Sequence, residues 1–148
     1  MSLAEKFCLS AAFLFLMTGL LTGVWKYGHV ARRSDATAPV YVDIAHRSSL
    51  MYAFAAIVLG QLAALSRFSD AVNAWAAFVA LSFFALAIIS YIIHGLLRDT
   101  DNQFKRPHVL GPLHLPRWMM TAVMTALILG EIGGALVLGM GAMLQLWG

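Results

Sequence analysis

The chain is short of almost everything a soluble, disulfide-stapled or phosphate-handling protein depends on. Its one cysteine, Cys8, excludes an intramolecular disulfide and cannot build a cysteine zinc cage alone. It reads as a small buried hydrophobe. Charged residues make up 11% of the 148 positions, against about 25% in a soluble domain. The few basic residues flank apolar runs and form no basic domain, which excludes nucleic acid as a partner. There is no glycine-rich phosphate loop, no H-E-x-x-H and no serine nucleophile elbow. Internal repeats and low-complexity stretches are also missing. What remains is hydrophobic: 61% of the chain, with a mean hydropathy of +0.79. That balance describes an integral membrane protein of one domain, spanning 1–148.

The apolar runs predict four transmembrane helices, at about 5–27, 47–66, 71–97 and 117–144. The expected fold class is therefore an all-α, integral membrane four-helix bundle. The first run, Phe7 to Trp25, is read as a retained helix and not a signal peptide. It is long enough to span, Lys6 is its only leading positive charge, and no A-x-A site follows. Trp25, Lys26 and Tyr27 mark a membrane interface. The turn from Ser66 to Asp70 is short enough to force antiparallel packing of the second and third helices. Two long polar segments, Gly28–Arg47 and Arg98–Pro116, lie at the other end. The second holds Pro107, Pro112 and Pro116 and is expected to be irregular but ordered. These segments and the residues that flank them carry Lys26, Arg32, Arg33, Arg47, Arg98, Lys105, Arg106 and Arg117, whereas only Lys6 and Arg67 lie opposite. The asymmetry places both long loops in the cytoplasm, and the setting is read as a bacterial inner membrane. Gly19 with Gly23, and Gly130 with Gly134, have the small-xxx-small spacing that lets helices approach closely.

The stretch Asp43–Ser49, DIAHRSS, is the chemical centre of this reading. His46 stands where the polar loop enters the second helix. Tyr91 and His94, three apart and on one face, end the third. With those helices antiparallel, His46, Tyr91 and His94 are expected near one membrane surface. An imidazole suits heme iron and an apolar bundle suits a porphyrin, although a solvated interfacial histidine and a belt tyrosine give the same residues. Ser49, one turn after His46, either orients a ligand or back-bonds to the helix. Glu131, in the middle of the fourth helix, is a candidate by its depth alone, or is protonated and bonded to Gln61 or Thr22. His108 and His114 are expected to be solvated, since their separation fits no zinc motif. Asp99, Asp101, Lys105 and Arg106 read as a charged membrane-surface loop.

The A-H-x-S core (Ala45, His46, Ser48), Tyr91, and Asn102-Gln103-Phe104 in the following loop together resemble the styrene oxide isomerase family. The resemblance implies a trimer of small four-helix membrane proteins that hold heme b between protomers. It implies His46 as the axial iron ligand and Tyr91 in the substrate pocket. The iron would act as a Lewis acid on an aryl epoxide. Ring opening to a benzylic cation and a 1,2-hydride shift would then give an aldehyde with no net electron transfer. Where that family has an asparagine six residues after the histidine, this chain has Tyr52, a bulkier hydrogen-bond donor. Tyr52 and Tyr91 are thus the expected catalytic side chains, His46 and Ser49 the heme-binding ones, and His94, Asn102 and Glu131 secondary candidates. The expected partners are a small apolar epoxide, the lipid bilayer and further copies of the chain. Two other readings stand beside this one. His46 and His94 could hold a bis-histidine heme b in an electron-transfer subunit serving a quinone, or the chain could be a cofactor-free assembly protein.

Overall fold

The computed structural model describes Met1–Gly148 as a four-helix bundle: α1 (Leu3–Val30), α2 (Val40–Leu65), α3 (Asp70–Leu97) and α4 (Arg117–Trp147). Each helix is long and apolar enough to cross a membrane. At about 1.5 Å per residue they run about 39–46 Å, beyond the roughly 30 Å hydrocarbon core, so their ends project to headgroup level. A capping box starts α1: Glu5 N–H donates to the Ser2 hydroxyl, and the Ser2 N–H donates to the Glu5 carboxylate. Ser69 caps α3 through the Val72 N–H. Pro39 and Pro116 occupy the N-cap positions of α2 and α4, where proline removes no intrahelical bond.

Two boundaries differ from the sequence expectation. The second helix begins at Val40, about two turns before the expected start. The charges that suggested a loop are helical and paired: Asp43 bonds Lys26 of α1 at 2.5 Å and Arg47, one turn on, at 2.9 Å. His46 accordingly lies inside the helix and not at its mouth. The loop after α3 is also not wholly irregular. It contains an antiparallel hairpin, β1 (His108–Leu110) with β2 (Leu113–Leu115), turned at Gly111, whose φ of 57° suits glycine.

Small residues build the core. Ala4, Ala12, Ala53, Ala56, Ala77 and Ala80 are all buried, while large apolar side chains such as Leu21, Phe54 and Leu129 face outward. Helices in lipid gain little from hiding apolar surface and associate instead by close packing. Gly19 lies against Leu50 and Gly60 against Cys8, joining α1 to α2. Gly130 lies against Phe83, and Gly134 against Ala76 and Ala80, joining α4 to α3. Cys8 is buried, as expected of a small hydrophobe.

Candidate functional site

The N-terminal half of α4 carries bulky side chains, including Met119, Met120 and Met124, where its C-terminal half carries glycines. The helices therefore separate toward the hairpin end. Between them lies a cavity of about 270 Å³, lined by seventeen residues of which fourteen are hydrophobic. Tyr52 of α2 and Ser90, Tyr91 and His94 of α3 supply most of its polarity. Phe104, Leu110 and Leu115 of the hairpin segment cover it.

A small polar network holds that cover in place. Gln103 is tied three ways: its N–H donates to the Tyr41 hydroxyl, its carbonyl accepts from His108 Nδ1 at 3.2 Å, and its side-chain oxygen accepts from Ser90 Oγ at 3.1 Å. Asp99 makes the second tie. One carboxylate oxygen accepts from the Gly111 N–H at 2.6 Å, and the other lies 2.8 Å from His94 Nδ1. Both side chains are nearly sealed, His94 at 5% and Asp99 at 7% exposure. Burial pushes the Asp99 carboxyl upward, but the Gly111 N–H and His94 outweigh it and hold Asp99 below the usual carboxylate range. Because a carboxylate only accepts, Nδ1 is the protonated nitrogen of His94. Its Nε2 makes no hydrogen bond within the protein, and His94 is among the residues that line the cavity. Tyr41 packs over the same imidazole, ring centroids 5.0 Å apart.

His46 has a different neighbourhood. Its Nδ1 lies 2.8 Å from the Gly19 carbonyl of α1. A carbonyl cannot donate, so Nδ1 carries the hydrogen, and in the neutral form of the ring Nε2 is the lone-pair nitrogen. Gly23 makes room for this ring: a Cβ there would lie 2.9 Å from His46 Cε1. The side chain is half-buried in the α1–α2 groove and does not line the cavity.

The structure thus brings Tyr52, Tyr91 and His94 together and leaves His46 apart, whereas the sequence reading had His46 converging with Tyr91 and His94. Ser49 is fully buried and back-bonds to the Ala45 carbonyl at 2.7 Å, the structural one of its two expected roles. Asn102 is exposed and closes a turn by accepting from the Phe104 N–H at 2.9 Å. Glu131 bonds neither Gln61 nor Thr22. Thr22 donates to its own helix, at Thr18 and Gly19. Tyr52 is the polar neighbour of Glu131, and Oε1 of the carboxyl has no hydrogen-bond partner. His114 is exposed as expected, but His108, the first residue of β1, is buried. No group of three or more His, Cys, Asp or Glu side chains is placed to hold a bare metal ion.

Three contributors escaped the sequence reading. Tyr41 was assigned to a loop because the early start of α2 was missed. Asp99 looked like one more surface charge; its partner His94 is five residues away, a spacing that brings side chains together only because Arg98 breaks the helix with a φ of 51°. Gly111 had a legible signal, a glycine followed by proline at a turn. No protein-family model, curated protein or solved structure matches this chain.

Proposed function

We propose that the protein is a heme b-dependent membrane isomerase that converts small aryl epoxides to aldehydes. The observation that carries this reading is the state of His46: Nδ1 is committed to the Gly19 carbonyl, which leaves Nε2 for an axial iron on a half-buried side chain between α1 and α2. The residues present therefore fit a heme. When bound, heme b supplies a Lewis acid for the epoxide oxygen. The chain's own part is to bind and shield. The apolar cavity accepts a single aromatic ring and excludes the water that would trap a ring-opened cation as a diol. Tyr91 and Tyr52 present phenol hydroxyls that can donate to the substrate oxygen. His46 does not line its own chain's cavity, so the reading goes with a homo-oligomer, a trimer by the family resemblance. The two long polar segments face the cytoplasm, by their lysine and arginine excess.

The bis-histidine electron-transfer reading is less well supported. His46 packs on α1, whereas His94 opens on the cavity between α3 and α4 with one nitrogen already held by Asp99.

The test is an absorption spectrum of full-length protein purified from heme-supplied cells, before and after addition of styrene oxide, with phenylacetaldehyde formation measured in parallel. The expected result is a Soret band that shifts with epoxide and disappears in His46→Ala. A colourless wild type, or a low-spin band indifferent to epoxide and lost in His94→Ala as well, would sink the isomerase.

A further inference from the structure

Besides its two tyrosines, the cavity contains an imidazole whose hydrogen-bonding sense is fixed. Asp99 accepts from Nδ1, so in the neutral form of the His94 ring Nε2 is an acceptor only. An epoxide or an aldehyde cannot use it, because each of them also only accepts. A ligand that leaves this nitrogen unpaired in an apolar chamber forgoes a hydrogen bond that a donor would make. The chamber is otherwise suited to one ring: about 270 Å³, fourteen of seventeen lining residues hydrophobic, with Phe104, Tyr52 and Tyr91 among them.

We propose that the cavity selects aromatic molecules bearing a hydroxyl group, whose O–H donates to His94 Nε2. Among aryl epoxides, hydroxylated ones are then the preferred substrates. The inference rests on reading this cavity as the substrate chamber, but it concerns binding and needs neither heme nor turnover. Its failure is therefore distinct from that of the isomerase reading, which the Soret band and aldehyde formation decide.

The Gly111 N–H makes the selectivity reversible by design. Asp99 accepts from Gly111 with one oxygen and from His94 with the other. In Asp99→Asn, the amide oxygen has to face Gly111, because the NH2 group cannot accept. The NH2 group then faces His94 and donates to Nδ1. The ring proton moves to Nε2, and the cavity now presents a donor.

The experiment measures binding of 4-ethylphenol and 4-ethylanisole to the full-length protein in detergent. It is run at about pH 8, above the ordinary imidazole range near 6.5. Wild type is expected to prefer the phenol by about tenfold, the size of one buried hydrogen bond. Asp99→Asn is expected to lose or invert that preference. Equal binding of the two by wild type, or an unchanged preference in Asp99→Asn, overturns the proposal. If the variant does not fold, histidine 15N spectra of wild type decide. An unprotonated Nε2 signal of His94 that moves with the phenol and not with the ether supports the proposal, and a signal that ignores both refutes it.

Discussion

The two helix pairs of this bundle solve opposite packing problems. Between α1 and α2, Gly19, Gly23 and Gly60 let the helices close on each other, and the one imidazole between them is pinned to a backbone carbonyl. Between α3 and α4, only the half of α4 that contains Gly130 and Gly134 closes; the half that contains Met119, Met120 and Met124 stays apart and leaves a chamber. Each pair then fixes one histidine in a defined tautomer, by a carbonyl in one case and a carboxylate in the other.

The sharpest way to break the contrast is to open the closed half of the second pair. A side chain at Gly134 meets the Ala76 carbonyl, with even a Cβ only 2.5 Å away. Gly134→Val should cost about 3 kcal/mol, read as a lowered unfolding midpoint in detergent. Opening the first pair has a narrower outcome. Gly23→Leu places carbon where the His46 ring lies, so heme affinity should fall about a hundredfold while the helices remain formed by circular dichroism. Within the hollow half, Tyr91→Phe removes one donor and leaves the packing intact. Aldehyde formation should drop about tenfold or more with an unchanged Soret band. The smallest effect is the pH response of the cover. Asp99 titrates below its ordinary value of about 3.9, so its contribution to holding the hairpin is complete above that value. It is lost as pH falls through the lower, folded-state value. The protection of the Gly111 amide against hydrogen exchange, taken relative to its intrinsic rate at each pH, should fall on acidification in wild type, and that acid-dependent step should be absent in Asp99→Asn.

The four helices were legible because hydropathy is a property of each segment by itself. The glycine pairs were legible as contact points for the same reason. The start of α2 was not, because Asp43 and Arg47 look like loop charges until Lys26 of another helix is placed beside Asp43. The candidate site was half legible. Tyr91 and His94 share a helix face by spacing alone, and Tyr52 was flagged as a departure from a family pattern. His46 was expected beside them because depth in the membrane can be read from sequence, whereas the direction a residue faces around its helix axis depends on which neighbour it packs against. Asp99 was missed for a related reason: a buried acid and a surface acid are the same letter until the fold closes over one of them.

The three bonds on Gln103 have a consequence for time as well as for structure. They join the cover to α2 through Tyr41, to α3 through Ser90, and to the hairpin itself through His108. With three ties, no single broken bond frees the segment. The ties on this segment therefore bear on how fast a small apolar molecule enters and leaves the cavity that it lines. Loosening the ties would raise the rates of arrival and departure by the same factor and leave the equilibrium between them where it was.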